Sequence, residues 1–578
     1  MKKNIFNKMA KKGFYLLLYS LTPLFLVGCN DFLTLYPTNK TVGKDFWKTK
    51  EDVQNMVTGA YSSMTSKGCQ ERAIIWGAFR SDELVQYELN TNTDLANINA
   101  LNFFPTNGYN SWEAFYHVIN RCNIVLNHIG EVMEIDPVFT QGDYDETRAQ
   151  MLALRSLCYF YLVRTFRDVP YISESYEDDL REMSVPQTAP DSVLQACIND
   201  LQEAERFIMK SGAYGEGNWR NKGYFTTDAV RALLADIYLW RASINHDEAD
   251  YQKCVEYADK VIDAKHEYYM SIHTGGSVTT RTDNYHLESY NNMFPTLFVV
   301  KNSHESILEW QYDGGNEALN TLYNGNVLLA SKIFNQCDRS ANTPQGSLIF
   351  ASENDTRLLQ FVFDVYNNQT NLDKPNDIRK LVALSSYITS EKKGDEKKNF
   401  NGNAKNRNWI VYRLTDVMLM KAEALVQLAT EEDGDNTLQQ AFSLVQAVNK
   451  RSMRNTTDTL KQTSFKTKEQ MEALVLVERE RELCFEGKRW YDLMRYCYRK
   501  MDGVDLTTKL ADKTEWPSLY SGMLEKIKNK FSSGGVAIDY KMKSEPYLYW
   551  PVFEREMKAN KLLKQNPVFI QDESTVRN

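Results

Sequence analysis

The sequence is short of several features that mark common function classes. Its seven histidines, His117, His128, His246, His266, His273, His286 and His304, form no HExxH or other close pair, and no Asp-x-Asp-x-Asp run occurs. No metal ligand set is therefore expected. GxSxG elbows, P-loops and GxGxxG fingerprints are absent as well, so no enzyme signature stands out and no cofactor is expected. Basic residues do not predominate: 68 Lys and Arg face 76 Asp and Glu, for a net charge of −8. That balance argues against nucleic acid, which needs a basic footprint. None of the nine cysteines forms a CxxC. Beyond residue 28 no stretch approaches the roughly 18 uninterrupted apolar residues of a transmembrane helix.

What is present begins at the N-terminus. Lys2, Lys3, Lys8, Lys11 and Lys12 precede an apolar stretch from Phe14 to Val27, broken only by Tyr19, Ser20, Thr22 and Pro23. At 14 residues it is shorter than the roughly 20 needed to span a bilayer, so it reads as a secretory signal. It ends in Leu26-Val27-Gly28-Cys29, the lipobox pattern in which the cysteine is acylated and becomes the new N-terminus. Each buried CH₂ contributes about 0.8 kcal/mol, so two or more acyl chains anchor stably where one does not. Cys29 is thus the expected lipidation site, and loss of the leader removes five lysines and no acid. Of the other cysteines, Cys158, Cys254 and Cys484 lie in apolar helical runs and read as packed thiols. Pairing among the remainder is left open by spacing alone.

Helical periodicity dominates the rest. Val53, Met56, Val57, Ala60 and Tyr61 form one stripe, with Gly68 closing that segment. Ile74 to Asn110 loses the pattern, and its Asp94–Gly108 run is rich in asparagine and aromatics. Ser111 is placed to cap the next helix. Arg148 to Arg167 reads as a strong helix stopping before Asp168-Val169-Pro170, and another follows Pro190-Asp191. Two helical hairpins stand out. In one, Val230, Leu233, Leu234, Ile237 and Tyr238 face Tyr251, Cys254, Val255, Ala258, Val261 and Ile262, with small residues at Ala235 and Ala258. The other runs from Leu414 to Val448. Both have about the 34-residue length of a tetratricopeptide repeat (TPR). Between them, Lys265 to Asn408 is mostly irregular, with strand-like runs at Leu297–Val300 and Ile307–Tyr312 and a polar stretch from Glu391 to Asn408. Near the C-terminus, Glu478-Arg479-Glu480-Arg481-Glu482 places two carboxylates one helical turn apart. A glycosidase needs such a pair, but the adjacent Arg481, Arg489 and Arg495 favour a structural ion network, since paired carboxylates are poor general acids.

Several of these pieces, taken together and in order, resemble the SusD/RagB family of outer-membrane lipoproteins from Bacteroidetes. They are Cys29-Asn30-Asp31-Phe32-Leu33 with Pro37 and Phe46-Trp47; Arg155-Ser156-Leu157-Cys158-Tyr159-Phe160 through Asp168-Val169-Pro170; and Leu419-Met420-Lys421-Ala422-Glu423-Ala424. The series continues with Glu478-Arg479, Phe485-Glu486-Gly487-Lys488-Arg489-Trp490-Tyr491-Asp492-Leu493, Trp550-Pro551, Asn560 and Gln565-Asn566-Pro567. Arg167 departs from the usual Gly before Asp-Val-Pro, and Val552 follows Trp550-Pro551 where Ile-Pro is commoner. The resemblance implies a mainly α fold with four TPR-like hairpins carrying a large, irregular, loop-rich ligand-binding face. It also implies a SusC-like TonB-dependent transporter as partner, attachment to the outer membrane through the lipid, and a glycan or sometimes a peptide as ligand. Residues 1–28 would be the leader, 29–45 a lipidated tether, and 46–578 the SusD-like domain, divisible at 46–264, 265–408 and 409–578.

The 33 Tyr, 27 Phe and 10 Trp supply candidates for a sugar surface, where a ring covers a C–H face and amide or charged groups pair hydroxyls. One loop region offers Trp76, Arg80, Asp82, Tyr87, Asn97 and Asn99. A second offers Tyr285, Tyr290, Trp310, Tyr312 and Tyr323, although Ile307–Tyr312 also reads as a buried strand. The expected function is non-catalytic capture of glycan for the transporter. A peptide-capturing role and a hydrolase built on Glu478 and Glu482 are the alternatives.

Overall fold

Helix formation in the computed structural model begins at a capping box. Thr49 Oγ1 accepts from Asp52 N at 3.2 Å while Asp52 Oδ2 accepts from Thr49 N at 2.9 Å, which satisfies two otherwise orphaned donors. The helix so started, α1 (Lys50–Met64), buries Val53, Val57, Ala60 and Met64, the predicted stripe. The structure describes residues 46–82, 93–177, 184–272, 285–289, 293, 295–312, 408–453, 460–483, 486–528, 531 and 535–570.

Gly68 does not end this region. It lies inside α2 (Lys67–Ala78), capped by Ser66, and a further helix, α3 (Thr93–Asn99), follows. The expected loss of order from Ile74 therefore starts within a helix. The reason is burial: Ala73 to Ala78 are buried on every side, so no stripe is visible. Helix α4 (Glu113–Ile135) begins one residue later than Ser111 suggests, with Trp112 at the N-cap; Ser111 Oγ still accepts from Glu113 N at 3.3 Å.

Helix α5 (Gln141–Phe166) starts earlier than expected because Thr140 and Asp143 form a second capping box. It ends at Arg167, whose φ of 66° turns the chain into strand β1 (Val169–Pro170). That strand pairs antiparallel with β2 (Gln187–Thr188). Helix α6 (Pro190–Phe207) carries proline in its first turn, where the missing N–H costs nothing, and packs along α5.

The second hairpin is α7 (Thr227–Asn245) and α8 (Glu248–Ile272), joined through His246 in the left-handed region. Ala235 and Ala258 are both fully buried. Helix α8 continues past the expected division at residue 264. Strand β3 (Ser306–Trp310) pairs antiparallel with β4 (Trp409–Arg413) and leads into α9 (Leu414–Leu428) and α10 (Thr437–Ser452). Helices α11 (Lys468–Glu482) and α12 (Arg489–Tyr498) complete a fourth pair. Because α9 packs on α8, hairpins distant in sequence form one helical scaffold. Leu297–Val300, strand-like in sequence, belongs to a π-helical turn, Pro295–Val300; so short an apolar run cannot distinguish the two by period. Of the polar stretch Glu391–Asn408, all but Asn408 lies outside the described residues.

At the crossing of α2 and the α11–α12 connection, two backbones touch. A Cβ on Gly77 would lie 1.9 Å from the Gly487 carbonyl oxygen, and Gly487 itself has φ 69°. Gly487 thus separates α11 from α12 at a close approach that only glycine permits.

Six of the cysteines, Cys69, Cys122, Cys158, Cys197, Cys254 and Cys497, are free and buried. Burial pushes the Cys69, Cys122 and Cys497 thiols up to about 12, so they behave as small apolar groups. Cys337 and Cys484 lie outside the described residues.

The acidic and basic residues of α11 enter a buried ionic lattice. Arg413, at the end of β4, donates to Glu486 (Nη2–Oε1, 2.7 Å) and pairs with Glu482. Arg451 joins Glu482 to Glu305 (3.0 Å). Arg479 reaches Asp416 and Asp492, each at 3.0 Å. Arg495 holds Glu423 through two 2.8 Å bonds, and Arg499 links Glu423 to Glu472. This lattice ties β4, α9, α10, α11 and α12 together. Removing one partner strands a buried charge, so Arg413→Met is expected to cost about 3–5 kcal/mol, read as a lowered denaturant midpoint.

A pH dependence follows. Burial opposes ionisation of Glu423 and Glu472, but the guanidinium groups of Arg495 and Arg499 outweigh it and hold both carboxyls below the usual range. A folded pKa below the unfolded value, near about 4.3 for Glu, contributes stability present above that value and lost as pH falls. Thermal midpoints are expected to be level near neutrality and to fall below about pH 5; a flat acid limb would contradict the lattice.

Candidate ligand-binding site

The Asn- and aromatic-rich run Asp94–Gly108 builds one wall of an open cleft. After α3 the chain reverses at Leu101, whose φ of 59° is left-handed and strained for a leucine. Asn102 N donates to Asn97 O at 2.8 Å across this turn. The asparagines here tie the loop to itself. Asn107 Nδ2 donates to Asp94 O at 3.0 Å and its Oδ1 accepts from Tyr109 N, while Asn110 Nδ2 donates to Phe104 O at 2.7 Å. The turn presents Phe103, and the Arg80 guanidinium lies 4.5 Å from that ring's centre.

The opposite wall comes from the C-terminal segments. A helical turn at Ile538–Lys541 carries Tyr540 and Lys541, and Lys541 Nζ donates to Ala100 O at 3.0 Å, joining the walls. Tyr547 lies within a 3₁₀ turn, Glu545–Leu548, and Phe569 ends another, Pro567–Phe569. Phe103 and Phe569 meet with ring centres 6.0 Å apart, Tyr547 and Phe569 at 6.2 Å. The cleft holds about 220 Å³ and is completed by Leu101 and Met542. Tyr540 is 73% exposed at its lip. Four aromatic rings with an ammonium group suit the binding of a polar ligand that has an apolar face. Among the described residues the lining holds no carboxylate and no thiol.

The sequence candidates fall out differently. Trp76 is fully buried, donates from Nε1 to Tyr109 O at 2.9 Å, and packs on Phe115, Phe166 and Trp550. Asn99, Trp310 and Tyr312 are also buried. A sugar platform needs a ring or amide open to water, so these four are corrected to core positions. Arg80 is buried beneath the cleft, with Nη1 donating to Leu548 O at 2.7 Å and Nη2 bonded to Tyr547 O. Asp82 accepts both ends of Arg489, at 2.7 and 2.8 Å. Asn97 is half-buried at the Leu101 turn, and Tyr285 is half-buried against the α9–α10 core. Cys29, Tyr87, Tyr290 and Tyr323 lie outside the described residues. Glu478 and Glu482 are fully buried; Glu478 pairs with Arg481, and Glu482 with Arg413 and Arg451. Both stand in the ion network expected of them.

Sequence reasoning missed Tyr540, Lys541, Tyr547 and Phe569. The usable signal was Tyr540 between Asp539 and Lys541, an aromatic set among charges where no helical stripe needs it.

Comparison with known proteins now bears on the chain. A family model described as SusD family matches residues 333–569, and one described as "Starch-binding associating with outer membrane" matches residues 31–239. The chain belongs to the SusD family. SusD-like protein P38 of Formosa agariphila is 23% identical to this SusD-family chain over 537 residues, covering 87% of it and 95% of P38. A crystal structure of a SusD superfamily protein from Bacteroides thetaiotaomicron aligns with TM-score 0.58 at 22% identity, covering 91% of this chain and 99% of that one. A laminarin-binding SusD-like protein aligns with TM-score 0.58 at 20% identity, covering 90% and 100%. These structures share the fold: helical pairs of TPR type.

Tyr540→Ala removes an exposed ring and is expected to shift stability by no more than about 0.5 kcal/mol. The same change is expected to weaken ligand binding in the cleft by about 1 kcal/mol or more. Paired melting and titration calorimetry separate the two effects.

Proposed function

We propose that this chain is a non-catalytic lipoprotein of the outer membrane that captures oligo- or polysaccharide at the cell surface. It hands the glycan to a SusC-like TonB-dependent transporter. The observation that carries this reading is membership of a family in which one matching model is described as starch-binding and outer-membrane-associating. The aromatic cleft supplies a place for the ligand, and the laminarin-binding relative supports a saccharide as its class. The lipobox ending at Cys29 supplies the anchor; among the described residues no helix is long and apolar enough to cross a membrane. Tyr87, Asn97, Tyr285, Tyr290 and Tyr323 remain candidate contacts beside the cleft residues.

The test uses the full-length chain. Palmitate is expected to label the wild type and not Cys29→Ala. The purified lipoprotein is expected to be retarded in gels containing a polysaccharide it recognises, with no reducing ends released. Deletion of its gene is expected to reduce uptake of that glycan. Product release at enzymic rates, or retention of peptides with no glycan, would overturn the reading.

A further inference from the structure

Resting on that reading, the charges around the cleft narrow the ligand class. Buried arginines in this protein follow a pattern. Arg155, Arg164, Arg167, Arg413, Arg479, Arg481, Arg489 and Arg495 each pair with a carboxylate. Arg80 alone among the buried arginines of the described residues does not. Its hydrogen bonds go to two backbone carbonyls, its Nε has no partner, and it lies over the Phe103 and Trp490 rings at 4.5 and 4.1 Å. A fully buried guanidinium without a counter-ion is costly, and its field is screened least where the wall is aromatic.

Lys541 repeats the pattern at the surface of the same cleft. Its ammonium donates to a carbonyl and forms no ion pair. Lys543 adds a third cation, 5.9 Å from the Tyr540 ring centre. Nearby acids are engaged elsewhere: Asp539 with Lys528 at 2.8 Å, and buried Glu545 with Arg167 at 3.0 Å. In a chain of net charge −8, a cleft whose described lining holds cations and no acid is a local reversal of sign.

We propose that the cleft selects an anionic saccharide, with Lys541 contacting its carboxylate or sulfate and Arg80 supplying the supporting positive field from below. Tyr540, Tyr547 and Phe569 would cover the C–H faces of the same sugar.

The experiment titrates the full-length lipoprotein in detergent with polygalacturonate, alginate, hyaluronan and chondroitin sulfate fragments. Carboxyl-reduced or desulfated counterparts, neutral β-glucan oligosaccharides and polyglutamate are run beside them. At least one anionic fragment is expected to bind roughly tenfold or more tightly than its neutralised counterpart, with affinity falling as salt rises. Lys541→Met keeps the aliphatic stem and is expected to weaken that binding by roughly 3- to 10-fold more than it weakens binding of the neutralised counterpart. Equal binding of charged and neutralised sugars, or indifference to Lys541→Met, overturns the anionic preference and leaves saccharide capture standing. Binding of neutral β-glucan alone does the same. If no saccharide binds, or only polyglutamate does, both the preference and the saccharide reading fall.

Discussion

The scaffold depends on a set of mutually paired charges, most of them buried. Arg413 stands at its centre, at the point where β4 becomes α9, and binds carboxylates from the end of α11 and the connection beyond it. Through Arg451 the same lattice takes in Glu305, just before β3. Through Arg489 it reaches Asp82, more than 400 positions away in the chain. Each pair is weak evidence for net stability, because desolvation offsets most of the attraction. What the lattice supplies is geometry. A guanidinium fork accepts a carboxylate in few orientations, so helices that could slide along apolar faces are fixed in register.

The aromatic residues divide between two tasks. Trp76, Phe115, Phe166 and Trp550 meet in the interior, where the N-terminal helices and the C-terminal segment close on each other; Trp550 N donates to Thr165 O at 2.9 Å there. Phe103, Tyr540, Tyr547 and Phe569 face the cleft. Phe103 bridges the two groups, touching Trp550 on one side and Phe569 on the other. The binding wall is therefore continuous with the core. Phe103, Tyr547 and Phe569 are held by ring packing rather than by loop hydrogen bonds alone, which lowers the entropy lost on capture.

Much of this was legible in advance. The stripes of α1, α8 and α10 were visible because each helix has one wet face. The Glu–Arg run of α11 disclosed its own role, since carboxylates so close to arginines pair before they do chemistry. Helix α2 was hidden because its second half, Ala73 to Ala78, is dry all round. The cleft was hidden for a different reason. Its walls come from residues near 100 and residues near 540, and nothing local in either stretch reports the other. Trp76 and Trp310 drew attention as large rings in regions read as loops, yet both rings fill the interior. Arg80 was picked for the wrong reason: it touches no solvent, but its unmatched charge lies at the base of the cleft.

The β3–β4 ribbon carries a consequence for how such chains diversify. Trp310 and Trp409 sit opposite each other in register, so the two ends of everything between them leave the scaffold side by side. Closing a loop between fixed neighbours costs only about 0.6 kcal/mol more for each doubling of its length. The ribbon thus works as a socket. Segments of very different size and composition can be exchanged across it while the helical frame, and whatever docks on that frame, stays the same.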